Sequence, residues 1–412
     1  MAELRPFASV RPREDLAERI AALPYDVVNR QEAKAIVREN PYSFLKIDRA
    51  ETQMDDSVDM YCDTVYETAR DTLEQMLEEG SFVTEATPCY YLYELTMNGR
   101  AQTGLVGCVS IDEYLNDGIK KHENTKSEKE KDRIRHVDVC SAHTGPIFLA
   151  YRRQESLVKL QEQVKTEKPL YAFVSGDGIG HRVWKIEEKK RIGEIYEILK
   201  SVPELYIADG HHRAASAVKT GLKRRKEVGQ YTGKEEFNYF LAVLFPDQEL
   251  MILDYNRFVH DLNGYTKEEF LNQLQAELVV EKVGEKAYKP ERKGEVGMYL
   301  DHSWYRLILP KCENSEDPVT GLDVAQLQER VLTSILGIQD PKTDKRIEFV
   351  GGIRGLKELG RMVDGREGSV AFAMYPTSME ELFAVADAGK LMPPKSTWFE
   401  PKLRSGLFIH RF

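Results

Sequence analysis

The stretch Tyr206-Ile207-Ala208-Asp209-Gly210-His211-His212-Arg213-Ala214-Ala215-Ser216-Ala217 constrains what this chain can fold into more than any other. The apolar run from Leu205 to Ala208 reads as a strand. Asp209-Gly210 reads as a tight turn, and the small residues from Ala214 to Ala217 read as a helix packed close to its neighbours. Two imidazoles and a guanidinium then fall in the first turn of a helix, where four backbone N–H groups lack partners and the dipole is positive. Gly210 lets a ligand approach the backbone, and Arg213 can grip a phosphate through two parallel hydrogen bonds. A structural alternative stays open: Asp209 as an N-cap, the histidines solvated and Arg213 in a surface ion pair.

A chain of 412 residues has room for two or three domains. No run approaches the ~18 to 20 apolar residues that span a bilayer. The opening Met1-Ala2-Glu3-Leu4-Arg5-Pro6 lacks the apolar centre of a signal peptide. The five cysteines (Cys62, Cys89, Cys108, Cys140, Cys312) are scattered, odd in number and form no C-x-x-C pair. Neither a disulfide framework nor a structural zinc site is expected, and the reading is a cytoplasmic protein without a membrane partner. Net charge is −10. Nucleic-acid binding rests on neutralising phosphates, so an acidic chain without a long basic stripe argues against it. The basic cluster Lys219, Lys223, Arg224, Arg225 and Lys226 reads as the solvated, cation-favouring end of the motif helix.

Along the chain, helices are predicted from Glu14 to Ala22, from Arg30 to Glu39 and from Asp59 to Glu79. The second stops before Asn40-Pro41 because a residue preceding proline resists the helical region. Cys89 to Met97 and Gln102 to Ser110 read as strands joined through Asn98-Gly99, a strong hairpin signal. The charged run Gly118 to His136 is predicted helical. Pro146 to Tyr151 and Leu170 to Val174 read as strands, and Tyr239 to Phe245 with Leu250 to Leu253 as a strand pair. From about Leu262 strands (Trp304–Leu309, Ile347–Val350, Val370–Tyr375, Leu407–His410) alternate with helices (Leu322–Leu336, Ser378–Ala388). A boundary is placed between Asn263 and Tyr299, giving domains 1–265 and 266–412.

The order strand, Asp-Gly-His-His-Arg, small-residue helix resembles the phosphate-binding motif of the ParB/sulfiredoxin superfamily, whose members bind nucleotide phosphates at a Gly-x-x-Arg or Gly-x-His-Arg turn. More of the chain resembles one branch, the domain-of-unknown-function family 1015. The blocks that carry this likeness are Arg5-Pro6-Phe7 with Arg11-Pro12, Pro24-Tyr25-Asp26-Val27, Asn40-Pro41-Tyr42-Ser43-Phe44-Leu45, and His122-Glu123-x-Thr125 with Asp132-Arg133. Gly145-Pro146-Ile147-Phe148, the Asp209–Arg213 turn and Met392-Pro393-Pro394-Lys395-Ser396-Thr397 continue it. The resemblance implies an α/β (α+β) protein, ParB/sulfiredoxin-like in its N-terminal and central region, with a second, smaller α/β domain at the C-terminus. The wider group includes the free-serine kinases, which move a phosphoryl group from ATP or ADP to serine's hydroxyl with a glutamate near the N-terminus as base. It implies nucleotide-phosphate binding by Asp209, Gly210, His211, His212 and Arg213. No glutamate in this longer N-terminus matches the base unambiguously.

A phosphotransferase needs a carboxylate to accept the hydroxyl proton and others to hold Mg²⁺. Glu123 and Asp26 are the candidates for base, and Asp132 or Asp209 for the metal. His122, Thr125 and Arg133 are assigned to the site mainly through the family likeness, against a solvated charged helix as the alternative. Lys395 offers a cation for phosphate, though a β-turn with a surface lysine explains it as well. A zinc site at His122, His211 and His212 is a weaker reading, and His136 and His143 read as ordinary histidines. The leading expectation is a nucleotide-dependent phosphotransferase on a small hydroxylated metabolite, with free L-serine first. The alternatives are a ParB-like nucleotide or nucleic-acid binding module without catalysis, and a metal-dependent phosphatase. A homodimer is left open.

Overall fold

In the computed structural model, residues 3–125, 127–310 and 316–412 are described, with the side chains of 127 and 128 left aside. Lys126 and Cys312 lie outside the described residues. The protein is mixed α/β, and it divides into two compact units. One unit comprises Met1–Leu250 together with Pro401–Phe412, and the other Met251–Glu400.

The first unit is built on a nine-stranded sheet. Its strands are β1 (Leu4–Arg5), β2 (Tyr90–Met97), β3 (Arg100–Ser110), β4 (Ile119–Lys120), β5 (Ile147–Tyr151), β6 (Tyr171–Val174), β7 (Gly180–Ile186), β8 (Leu205–Asp209) and β9 (Tyr239–Pro246). The spatial order is β4-β8-β5-β9-β3-β2-β7-β6, with β1 beside β3. Strands β2 and β3 are antiparallel and meet at Asn98-Gly99, both in the left-handed region (φ +52° and +79°), as a type I′ hairpin turn requires. Strand β8 runs parallel to β4 and antiparallel to β5, and β5 runs parallel to β9. The central strands are buried on both faces, which is why they read as continuous apolar runs rather than alternating ones.

Four helices position the site: α1 (Arg30–Glu39), α2 (Asp63–Glu78), α3 (Ser127–Cys140) and α4 (His211–Val228). A capping box starts α1. Asn29 accepts from the Glu32 N–H at 3.0 Å, and the Glu32 carboxylate accepts from the Asn29 N–H at 2.8 Å. Helix α4 buries Ala214, Ala217 and Val218 in the same apolar core as Leu149, Leu205 and Ile207 of the sheet. A second core gathers Val65, Ala69 and Leu73 of α2 with Phe44, Ile47, Cys140 and Ile409. Segment 401–412 therefore completes a core begun 400 residues earlier: Ile409 bridges Val10, and His410–Arg411 pairs antiparallel with Ala142–His143.

The second unit carries a six-stranded sheet in the order Val279–Gly284, Ser303–Ile308, Glu295–Leu300, Val370–Met374, Tyr255–Val259, Ile347–Gly351. Phe258, Trp304, Leu359 and Val363 fill its core.

Four local expectations are corrected. The charged run 118–136 opens with strand β4, because Ile119 is fully buried beside Leu205, and the helix starts only at Ser127. Ile252–Leu253 pairs with Trp398–Phe399, not with β9; the turn Asp247–Glu249 ends β9, and the Glu249 carboxylate accepts the Thr103 N–H at 2.6 Å. Residues 323–333 start as an α-helix, Asp323–Leu327, and widen to a π-helix, Gln328–Thr333. The basic end of α4 is not merely solvated. Lys219 pairs with Glu130, Lys223 and Arg224 with Asp138, and Arg225 grips Asp112 through two 2.7 Å bonds. Two of those carboxylates sit on α3, which lies alongside α4 and supplies the opposite charge.

Candidate functional site

At the end of β8 the chain turns through Gly210, at φ +95° and ψ +32°, a conformation that costs a residue with a Cβ ~1–2 kcal/mol. The Asp209 carboxylate accepts the Gly210 N–H at 2.8 Å, so it braces the corner; no side chain caps α4. The Arg213 guanidinium folds back over this corner: a Cβ on Gly210 would stand 3.1 Å from Nε and 3.2 Å from Nη2. Arg213 Nη1 donates to the Pro146 carbonyl at 2.6 Å, and Nη2 lies 3.9 Å from Asp209 Oδ2. Lys402, from the returning C-terminal segment, approaches the same oxygen at 3.4 Å. Burial pushes the Asp209 pKa up, but Lys402 and Arg213 outweigh it and hold the carboxyl well below the usual range. The corner therefore presents a carboxylate braced by two cations beside the first turn of a helix.

The three histidines of the motif region divide. His211 is buried and packs edge to face on His122, ring centroids 4.5 Å apart, and its Nε2 has no hydrogen-bond partner. Burial holds both rings neutral: His122 is pushed down to about 4, and His211 falls well below its ordinary value, with His122 adding to the effect. His212 is half-buried, and its carbonyl accepts from Ser216 Oγ at 2.6 Å. The same Ser216 hydroxyl reaches the Glu130 carbonyl at 3.3 Å, and the Glu130 carboxylate takes the Thr125 hydroxyl at 2.8 Å. Thr125 is thereby tied to α3. Glu123 is partly exposed in the loop between β4 and α3.

Beside the corner lie two cavities that share Tyr25, Asp48, Arg133 and His136 as walls. The larger, ≈ 220 Å³, is also lined by Asp26, Glu51, Tyr66, Lys129 and Asp132. The smaller, ≈ 30 Å³, reaches Arg213, His143, Thr144 and Ser405. Arg133 is buried, donates to Asp132 Oδ2 at 2.8 Å and stacks its guanidinium 3.9 Å above the Tyr25 ring. Burial alone would lower its basicity; Asp132 and Tyr25 raise it above the ordinary value, so the cation is fixed. Asp132 also takes the Tyr66 hydroxyl at 2.9 Å, and its pKa is lowered: burial opposes that shift, and Arg133 and Tyr66 outweigh it.

Of the residues expected at the site, Asp26 and Asp132 line the larger cavity, Arg213 the smaller and Arg133 both, and Asp209 and Gly210 form the corner behind Arg213. Lys395 belongs to the second unit, at φ +59°, with its ammonium 5.6 Å from the Tyr255 ring. Sequence reasoning missed Asp48, Arg49, Glu51, His136 and Lys402. Asp48, Arg49 and Glu51 are charged residues buried just after the apolar run Phe44-Leu45, and that was the signal available. Asp48 takes the Thr144 hydroxyl at 2.8 Å, while Arg49 pairs with Glu51 at 2.6 Å and holds the Tyr25 and Val28 carbonyls, which shapes the Pro24–Val28 loop. Among the described residues no group of three or more His, Cys, Asp or Glu side chains is arranged to hold a metal ion. No helix among them is long and apolar enough to cross a membrane.

Residues 4–325 match the family described as Protein of unknown function (DUF1015). No curated protein matches the sequence. Among solved structures, a mutant free serine kinase in complex with ADP is similar at 17% identity over 73% of this chain and 92% of its own, with a TM-score of 0.36. SbnI with a C-terminal truncation, from Staphylococcus aureus, is similar at 13% identity over 73% of this chain and 85% of its own (TM-score 0.38). A conserved hypothetical protein from Pyrococcus furiosus is 18% identical over 74% of this chain and 94% of its own (TM-score 0.36).

Proposed function

The chain belongs to the DUF1015 family, and from that premise we propose that it is a nucleotide-dependent phosphotransferase acting on a small hydroxylated metabolite, with free L-serine the leading substrate and ATP or ADP the donor. One observation carries the reading: a left-handed glycine corner opens an uncapped helix, and Arg213 is folded over it at the wall of the ≈ 30 Å³ cavity. The likeness of the Asp209–Arg213 turn to the ParB/sulfiredoxin phosphate-binding turn supports it. Backbone N–H groups at a helix N-terminus with an adjacent guanidinium suit a phosphate. The ≈ 220 Å³ cavity has the volume for a metabolite of few heavy atoms rather than a polymer. Its walls alternate carboxylates (Asp26, Asp48, Glu51, Asp132) with cations (Arg49, Lys129, Arg133), a pattern that suits a zwitterion.

Roles are assigned accordingly. Arg213, His212 and the N–H groups of α4 hold the nucleotide phosphates, with Gly210 leaving room. His211 and His122 are neutral and wedge the corner in place. Asp26 lines the cavity and is assigned as the carboxylate that accepts the hydroxyl proton, with Glu123 as the second candidate. The carboxylates of Asp132 and Asp209 already have cationic partners, so Mg²⁺ fits as an ion carried by the nucleotide, with one of these carboxylates supplying an oxygen. When bound, it would neutralise charge on the transferring phosphoryl group. Incubation with ATP or ADP, Mg²⁺ and L-serine, followed by ³¹P NMR, tests the reaction: phosphoserine is expected, and nucleotide left intact with serine and other small hydroxylated metabolites would overturn it.

A further inference from the structure

Antiparallel pairing of His410–Arg411 with Ala142–His143 places His143 directly opposite His410. Their rings stack at 5.4 Å and 17°, and the two Nδ1 atoms are 3.1 Å apart. On the far side, His410 Nε2 lies 2.7 Å from the Glu236 carboxylate, whose side chain is 59% exposed. Phe7 and Phe412 pack on the rings and fix their planes. His143 Nε2 is buried and has no hydrogen-bond partner, in a ring that lines the ≈ 30 Å³ cavity shared with Arg213.

We infer that His143, His410 and Glu236 form a proton relay from the cavity beside Arg213 to the protein surface, with His143 Nε2 the accepting atom at the inner end. The tautomers follow from the partners. A carboxylate only accepts, so His410 carries its proton on Nε2 and offers a lone pair at Nδ1. The Nδ1···Nδ1 bond then takes its proton from His143, which leaves His143 Nε2 as a bare lone pair. Charges on the surrounding elements set the direction. Arg133, Arg213 and His136 share the cavity with His143, with Asp48 as the carboxylate there; Glu236 faces His410, and Arg5 in turn acts on Glu236. Burial, with His410 adding to it, disfavours a resting charge on His143, while His410 has the Glu236 carboxylate at 2.7 Å as its partner.

The inference rests on the phosphotransfer reading only for the identity of the proton donor. As the substrate oxygen bonds to phosphorus and the nucleotide's P–O bond breaks, with its electron pair leaving on the nucleotide, the O–H proton passes to His143 Nε2 by way of a water, for which the ≈ 30 Å³ cavity between them has the volume. The Nδ1 proton of His143 moves to His410 Nδ1 in the same sense, and the charge ends as an imidazolium paired with Glu236. The reverse path returns the proton. His143 would then share or replace the role assigned above to Asp26.

Long-range ¹H–¹⁵N NMR on the full chain labelled at histidine tests the tautomers without any activity. His143 is expected with its proton on Nδ1 and His410 on Nε2; a proton on His143 Nε2 in the resting state would overturn the relay. In Glu236→Gln, whose exposed side chain leaves the core intact, turnover should fall ~10²-fold with the nucleotide KM unchanged. An active enzyme in which Glu236→Gln keeps full turnover from pH 5 to 9 would sink the relay and leave the phosphotransferase standing. If the protein transfers no phosphate, the tautomers alone decide.

Discussion

At Gly210 the backbone and one side chain depend on the same missing Cβ. Gly210→Ala should cost ~1–2 kcal/mol of stability, since φ +95° is strained for alanine, and should also displace the Arg213 guanidinium that a Cβ would meet at 3.1 Å. Denaturant unfolding and a nucleotide titration on one preparation check both effects, and loss of stability with unchanged affinity would separate them. His122 carries a pH prediction. Its folded constant, about 4, lies below its ordinary 6.5, so the unfolded chain takes up the proton first. The stability it supports is complete above pH 6.5 and is lost as pH falls toward 4, by about 3 kcal/mol at ~1.4 kcal/mol per unit. In His122→Gln the slope of unfolding free energy against pH should flatten in that window, a comparison that urea melts at pH 4.5 and 6.5 make directly.

Among the elements, those with local signals were legible in advance. Helix α1 was placed residue for residue, its end marked by Asn40-Pro41, and the structure adds a capping box at its start; Asn29→Ala should cost ~1 kcal/mol in thermal or denaturant unfolding, with that box lost. The Asn98-Gly99 hairpin and strand β8 with its glycine corner were equally readable. Elements fixed by distant partners were not. Ile119–Lys120 becomes a strand only because Leu205 lies beside it, and Ile252–Leu253 finds Trp398–Phe399 across ~150 residues of chain. The charge of α4 was misjudged for the same reason: nothing near Lys219–Arg225 in sequence announces that α3 will supply Glu130 and Asp138. The candidate site divides the same way: Arg213 and Asp209 stand out in the motif, whereas the places of Asp48, His143 and Lys402 beside it emerge only once the chain is folded.

At the scale of the molecule, the first unit is interrupted by the whole second unit and closed by twelve C-terminal residues. Lys402 and Ser405 reach the corner and its small cavity only through that return. A chain ending at Glu400 should therefore lose nucleotide binding although the entire Asp-Gly-His-His-Arg motif is retained; full affinity in a folded truncated chain would show that the C-terminal segment is dispensable for the site. The proposed phosphotransfer depends on a phosphate bound at the corner. Calorimetric titration of ATP–Mg²⁺ into the full-length protein and into Arg213→Ala tests this most directly. The account predicts saturable binding, weakened roughly 10- to 150-fold in the variant, the equivalent of a charge-assisted hydrogen bond of about 1.5–3 kcal/mol. Equal affinities, or no binding to the unaltered protein, would contradict it.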